Sequence, residues 1–165
     1  MDSNSVFPLN FVITPGASAP RRATKGAAGF DCTALTREFL TCVNGELVPV
    51  KPPQTKQFDI VKYSTGLSFE IPQGYVILTF ARSSIAKMPL MLANSTGVID
   101  SDFRGEITFM FRIFNPQNIA NTSYQVGDRI GQLVVLKLGE LAPVEVSELA
   151  KSARGSGMFG STGQR

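Results

Sequence analysis

The sequence has 165 residues, 43% of them hydrophobic and 18% charged, which is typical of one globular domain and short for two. It contains no histidine, which excludes Ser-His-Asp and Cys-His relays and leaves carboxylates or a metal to carry any chemistry. The net charge of +3 comes from basic residues scattered along the chain. We therefore expect a small phosphate ester as partner, and no duplex nucleic acid.

The two cysteines, Cys32 and Cys42, are expected to be free thiols, because two cysteines without histidine cannot build a conventional zinc site or a disulfide framework. No stretch approaches the roughly 18 apolar residues needed to cross a bilayer, so no membrane association is expected. The N-terminus has neither a basic start nor a sustained apolar run. This pattern predicts a cytoplasmic location, or the interior of the host cell if the source is a virus.

Runs of Val, Ile, Phe, Tyr and Thr broken by Gly, Pro and Asn predict an all-β fold. Strands are predicted near Phe11, near Asp31, near Val48, over residues 66–71, 75–80, 93–99, 106–114 and 130–137, and near Val144. Helical turns are predicted only at residues 83–87 and 147–152. Residues 49–57 (PVKPPQTKQ) contain three prolines and are predicted to form an exposed loop.

The strand at residues 106–114 has two different faces. Its core face carries Ile107, Phe109, Phe111 and Ile113. Its other face carries Thr108, Met110, Arg112 and Phe114. The second face is more apolar than a solvent-facing strand usually is, so we expect another sheet or another chain to cover it.

The C-terminal segment RGSGMFGSTGQR is rich in glycine and has only two apolar side chains, so it cannot support its own ordering. We therefore divide the chain into one β domain at residues 1–153 and a mobile tail at residues 154–165. Closely spaced glycines can turn backbone N–H groups toward an anion. Arg154, Ser161 and Thr162 add donors for phosphate oxygens, and Phe159 offers a flat face to a nucleobase. The alternative is a disordered terminus without function.

Four further segments carry residues that could act in catalysis or binding. For most of them an ordinary structural role is the alternative. In TGVIDSDFRGEI, Asp100 could position a hydrolytic water, or it could belong to a polar hairpin turn. ARSSIAK follows an apolar strand and could bind an anion at a helix N-terminus, or it could supply an ordinary serine N-cap. AGFDCTAL places Asp31 in a strand, where it could bind a metal-bound water or end a ladder. In GDRIGQLVVL, Gln132 is the only polar side chain after Arg129.

Taken together and in this order, the five segments resemble the signature motifs of the trimeric dUTP pyrophosphatase (dUTPase) family. AGFDCTAL resembles the first motif, ARSSIAK the second, TGVIDSDFRGEI the third, GDRIGQLVVL the fourth and RGSGMFGSTG the glycine-rich fifth. The likeness covers residues 28–163 and leaves out the first two dozen residues and the loop at residues 49–57.

The resemblance implies a jelly-roll-like β-barrel or sandwich subunit that assembles as a threefold homotrimer, with each site built from three chains. It also implies an activity, the hydrolysis of dUTP to dUMP and pyrophosphate by water attack on the α-phosphate with Mg2+ as cofactor. That reaction would keep uracil out of DNA and supply dUMP for thymidylate synthesis.

By matching position, Asp100 would deprotonate the attacking water and Asp31 would hold a water on the magnesium ion. The implied substrate-binding residues fall into four groups. Arg82, Ser83 and Gln132, with Ser84 beside them, would serve the α- and β-phosphates. Asn94, Gly97 and Val98 would read the uracil edge, and Phe103 would pack on the deoxyribose. In the tail, Arg154 would neutralise the γ-phosphate, Phe159 would stack over uracil, and Gly160, Ser161 and Thr162 would bind terminal phosphate oxygens.

The sequence departs from the family pattern at two positions, with Phe103 in place of the usual tyrosine and Met158 in place of the usual glycine. Neither change removes a reacting group, although Met158 could constrain the tail. Two alternatives stay open. One is the related dCTP deaminase group, against which the full fifth motif argues. The other is a regulatory binding protein that switches a protein partner when dUTP orders the tail.

Overall fold

The computed structural model describes residues 8–51, 59–115, 119–153 and 155–156. These residues form eleven strands, a five-residue 3-10 helix at Ser83–Lys87 and one short α-helix, α1 (Ile119–Thr122). The strands are β1 (Asn10–Ile13), β2 (Phe30–Thr33), β3 (Thr36–Val43), β4 (Glu46–Val50), β5 (Ile60–Ser64), β6 (Leu67–Glu70), β7 (Tyr75–Ala81), β8 (Leu90–Leu92), β9 (Gly97–Ile99), β10 (Thr108–Ile113) and β11 (Arg129–Lys137).

The strands form three antiparallel sheets around one hydrophobic core. A five-stranded sheet has the order β4-β3-β5-β10-β8, a four-stranded sheet has the order β2-β11-β7-β9, and β1 pairs with β6. Both larger sheets supply core residues, among them Tyr63 and Phe111 from the first and Ile77 and Leu133 from the second. The predicted all-β class is confirmed.

Strand β10 shows the alternation that the sequence predicts. Ile107, Phe109 and Phe111 are at most 1% exposed, and β10 lies between β5 and β8 in the middle of its sheet. On the opposite face Arg112 and Phe114 are exposed, Phe114 at 66%. Thr108 and Met110 on the same face are half-buried, so in the single chain this face is only partly exposed, and its cover by another sheet or chain stays a prediction.

The two large sheets approach each other closely at Gly131 of β11. A Cβ atom at this position would overlap the ring of Phe109 on β10. Because the ring fills the space that a side chain would occupy, glycine is required here for packing.

Several predicted elements are wrong. No described strand pairs with the region of Val144, which is 77% exposed, and residues 147–152 form no helical turn. Residues 93–96 are not strand but a turn between β8 and β9, with Ser95 at a φ of 60°. Pro49 lies in β4 and not in a loop, because β4 is an edge strand where a missing N–H is tolerated. Residues 52–57 of that predicted loop lie outside the described residues.

Strands β3, β5 and β8 and helix α1 were missed by the sequence analysis. No helix in the described part of the chain has the length and apolar character that crossing a membrane requires.

Candidate functional site

The four-stranded sheet brings three of the predicted site segments together. Asp31 on β2 lies opposite Gln132 on β11, and Gln132 lies opposite Phe80 on β7. Arg82 follows directly after the end of β7 and begins the 3-10 helix. The first, second and fourth segments therefore meet on neighbouring strands of one sheet.

Asp31 joins two arginines in this region. Its Oδ1 accepts from Arg82 Nε at 3.2 Å and its Oδ2 from Arg129 Nη1 at 2.9 Å. The Asp31 side chain is only 12% exposed, whereas those of Arg82 and Arg129 are 27% and 39% exposed. One carboxylate between two guanidinium groups leaves a local net charge of about +1 with free N–H donors, an arrangement suited to a phosphate anion.

Arg129 is the site residue that the sequence analysis missed, because its role depends on contacts with Asp31 and Arg82. A hydrogen bond also joins the two arginines directly: Arg82 Nη1 donates to the backbone carbonyl of Arg129 at 3.4 Å. The sequence did offer one signal for Arg129, which is the charged GDR sequence immediately before an apolar strand.

The two serines after Arg82 differ in their surroundings. Ser83 is exposed, whereas the hydroxyl of Ser84 forms a 3.0 Å hydrogen bond with the hydroxyl of the buried Tyr124. The N-cap of the 3-10 helix is Arg82, and among the described residues no side chain caps the free backbone N–H groups of this helix. The alternative of an ordinary serine N-cap is therefore wrong.

Residues 93–99, termed the hairpin, consist of the turn after β8 and of β9, which lies in the other large sheet. Asn94 is exposed and Val98 is 62% exposed, while Gly97 is buried against β7. The N–H of Gly97 donates to Thr79 Oγ1 at 3.1 Å. The Gly97 N–H is thus held from behind, while Asn94 and Val98 are exposed on the outer side.

The loop that follows carries Asp100 and Phe103 on a tight turn. The N–H of Phe103 donates to the Asp100 carbonyl at 3.2 Å, and Arg104 Nη1 donates to the carbonyls of Ser101 and Phe103 at 2.7 and 3.0 Å. Asp100 is exposed, and the ring of Phe103, 43% exposed, lies over Gly105. Asp100 therefore belongs to a polar turn, and that same turn leaves its carboxylate accessible.

The single chain does not bring Asp100 to the arginines. Asp100 follows Ile99, which lies opposite Ile77 near the start of β7, whereas Arg82 follows the end of β7 at Ala81. At a rise of ~3.3 Å per residue, the two positions are separated by about 20 Å along the strand.

The remaining predicted site residues, Arg154, Phe159, Gly160, Ser161 and Thr162, lie outside the described residues, as does Met158. Among the residues that are described, no group of three or more His, Cys, Asp or Glu side chains could hold a metal ion. Both cysteines are free thiols, as expected. Burial, with Asp31 beside it, raises the pKa of the Cys32 thiol to about 12, which makes this thiol unreactive.

Comparisons with known proteins identify a family and relatives of this chain. The family model described as dUTPase matches residues 16–163. The deoxyuridine 5'-triphosphate nucleotidohydrolase of Fusobacterium nucleatum is 34% identical over 152 residues, covering 90% of this chain and 92% of the relative. The protein of the same name from Chlamydia trachomatis is 37% identical over 155 residues, covering 90% of this chain and 93% of the relative.

Solved structures show the same fold. The dUTPase of Staphylococcus bacteriophage 80alpha with dUpNHpp has a TM-score of 0.74 at 22% identity, covering 96% of this chain and 99% of that one. A dUTPase mutant from phage phi11 of S. aureus, described as coordinating a structural Mg(II) ion, has a TM-score of 0.64 at 21% identity, covering 86% of this chain and 98% of that one. The predicted β jelly-roll fold is thereby confirmed, and the family match shows that the chain belongs to the dUTPase family.

Proposed function

We propose that this chain is a dUTP diphosphatase that hydrolyses dUTP to dUMP and pyrophosphate. The observation that carries the proposal is the family match, which spans every segment that holds a predicted site residue. The open cationic cluster of Arg82 and Arg129 around Asp31 supports it, because a triphosphate needs such a site.

The α- and β-phosphates bind at the end of β7, where Arg82 and Arg129 offer free guanidinium donors. Ser83 is exposed beside them, and Gln132 lies on the neighbouring strand. Ser84 contributes less through its hydroxyl, since that group bonds to Tyr124.

Asp100 acts as the general base that deprotonates the attacking water. Its exposed carboxylate supports this role, but it lies about 20 Å along β7 from Arg82 of the same chain. We propose that the arginines facing each Asp100 come from another subunit of a homotrimer. Phe114, which directly follows β10 and is 66% exposed, supports such an assembly, because a large exposed apolar side chain favours burial against a partner.

The hairpin before Asp100 reads the base, through Asn94 and the backbone of Gly97 and Val98. Phe103, partly exposed next to Asp100, packs on the deoxyribose, and replacing the family's tyrosine with phenylalanine keeps the ring. The tail completes the site, with Arg154 on the γ-phosphate, Phe159 on the uracil, and Gly160, Ser161 and Thr162 on the terminal oxygens.

Asp31 suits a magnesium ion better through a water molecule than by direct contact. Both of its oxygens already accept hydrogen bonds from arginines, and a cation bound directly to this carboxylate would be repelled by both guanidinium groups. A magnesium ion that keeps most of its waters and binds chiefly to substrate phosphates is compatible with this arrangement. When bound, Mg2+ would neutralise charge on the phosphates.

Pyrophosphate release from dUTP, measured beside dTTP, UTP and dCTP, tests the proposal. We expect turnover of dUTP at least a hundredfold above the others. Ammonia release from dCTP would instead identify a deaminase. In the cell the reaction would keep uracil out of DNA and supply dUMP for thymidylate synthesis. The cytoplasmic location and the regulatory protein partner stay predictions.

A further inference from the structure

The hydroxyl of Thr79 lies directly behind the hairpin that carries Asn94, Gly97 and Val98. Thr79 is on β7 and is 4% exposed, and it lies opposite Gly97, the first residue of β9. Its Oγ1 accepts the backbone N–H of Gly97 at 3.1 Å. A buried side-chain oxygen therefore holds the start of β9 on the four-stranded sheet.

Gly97 can lie this close to the Thr79 hydroxyl because it has no side chain. A Cβ at Gly97 would overlap Thr79 Oγ1, and the side-chain amide nitrogen of Asn94 would lie only 3.2 Å from that Cβ. Glycine is thus needed here to allow close approach of the two strands. The close approach in turn sets how far the hairpin backbone stands from β7.

We propose that Thr79 is a positioning residue for base recognition, which acts through Gly97 and never touches the nucleotide. Its hydroxyl fixes the backbone of residues 94–98 at the position from which it reads the uracil edge. The front of the hairpin is open, with Val98 at 62% exposure, while Thr79 supports it from the buried side. This inference rests on the proposed dUTP hydrolysis.

Thr79→Val is the sharpest test, because valine has the shape of threonine without the hydroxyl. A methyl carbon needs about 3.5 Å or more from its neighbour, whereas 3.1 Å separates Oγ1 from the Gly97 nitrogen. The hairpin must therefore shift outward, and the Gly97 N–H loses its partner. We expect the Kd of the non-hydrolysable analogue dUpNHpp to rise by about tenfold, since one misplaced or lost hydrogen bond has that order of effect.

The second readout is the ratio of kcat/KM for dUTP to that for dCTP, which general destabilisation would not change. Uracil and cytosine differ in the donors and acceptors of the edge that the hairpin reads. We therefore expect this ratio to fall by about tenfold in Thr79→Val.

Two controls separate the hydroxyl from simple stability. Thr79→Ser keeps the hydroxyl but removes a buried methyl group, so its Tm should fall while Kd and the dUTP to dCTP ratio stay at wild-type values. Thr41→Val makes the same chemical change in β3, where the Thr41 hydroxyl donates to an Asp59 carboxylate oxygen at 3.0 Å. Its Kd and ratio should also equal those of the wild type.

Wild-type Kd and ratio in Thr79→Val would overturn the inference, as would an equal loss in Thr79→Ser. If Thr79→Val does not fold, Thr79→Ala replaces it, because alanine differs from serine at this position only by the hydroxyl. A wild-type enzyme that leaves dUTP intact would overturn the proposed function and this inference with it. Wild-type turnover of dUTP combined with an unchanged Thr79→Val would overturn the inference alone.

Discussion

Replacing Arg129 by glutamine tests whether the arginine cluster is the phosphate site. In the wild type one carboxylate, Asp31, is shared by Arg82 and Arg129, which leaves about one positive charge. In Arg129→Gln, Asp31 pairs with Arg82 alone and the local charge falls to zero. We expect KM for dUTP to rise while the fold persists, because a partly exposed ion pair contributes little stability.

The size of the effect follows from Coulomb's law. One unit charge at about 6 Å from a phosphate charge, at an effective dielectric of about 20, contributes about 2.8 kcal/mol. Because the Arg129 side chain is 39% exposed, solvent screening reduces this to about half. The remaining value of about 1.4 kcal/mol corresponds to a KM about tenfold higher.

Steady-state kinetics at low and high salt provide the measurement, and the KM of Arg129→Gln should depend less on salt than that of the wild type. Lys51→Gln is the matched control, because it removes one charge from an exposed position directly after β4, an edge strand of the other large sheet. A KM for Arg129→Gln within twofold of wild type would refute the role of Arg129. An equal rise in Lys51→Gln would show that only total charge matters.

Three further predictions address the rest of the site. Asp100→Asn should lower kcat by at least a hundredfold and leave the Kd of dUpNHpp unchanged, because it removes a proton acceptor and keeps the shape; calorimetry beside kinetics checks this, and substantial remaining kcat would contradict it. Deleting residues 154–165 should abolish activity with little change in Tm, since only two apolar side chains are lost; a large drop in Tm without nucleotide would mean that the tail is structural. Refolding the Asp100→Asn and tail-deleted chains together in equal amounts should restore about a quarter of wild-type activity if each site takes these parts from different chains; no recovery, with mixed trimers confirmed by mass spectrometry, would mean that both parts come from one chain.

Local pattern predicted the elements in which burial alternates along the chain. Strand β10 alternates Phe109 and Phe111 with partly or fully exposed neighbours, and this periodicity is visible without any knowledge of its partners. Strand β3, with the sequence TREFLTCV, was missed because its charged residues mask the pattern. Its place depends on pairing with β4 and β5, and pairing is a tertiary property.

The predicted strand near Val144 failed for the opposite reason. Its apolar residues suggested a strand, but Leu141 is 92% exposed and Val144 is 77% exposed. A strand forms when another strand accepts its hydrogen bonds, and the described part of this chain offers none there. Composition can identify an apolar segment, but it cannot identify what that segment contacts.

The same limit explains Asp31. The sequence marked Asp31 as a metal ligand through water, yet its hydrogen bond to Arg129 joins residues 98 positions apart, a contact that no local pattern contains. Two guanidinium groups repel each other, and a carboxylate that is 12% exposed between them offsets that repulsion while leaving one charge for phosphate. Asp31 therefore has a structural role that requires no metal. It holds Arg82 and Arg129 side by side at the end of β7. Any effect of an Asp31 substitution on magnesium dependence must for that reason be separated from the loss of the phosphate site that the two arginines form.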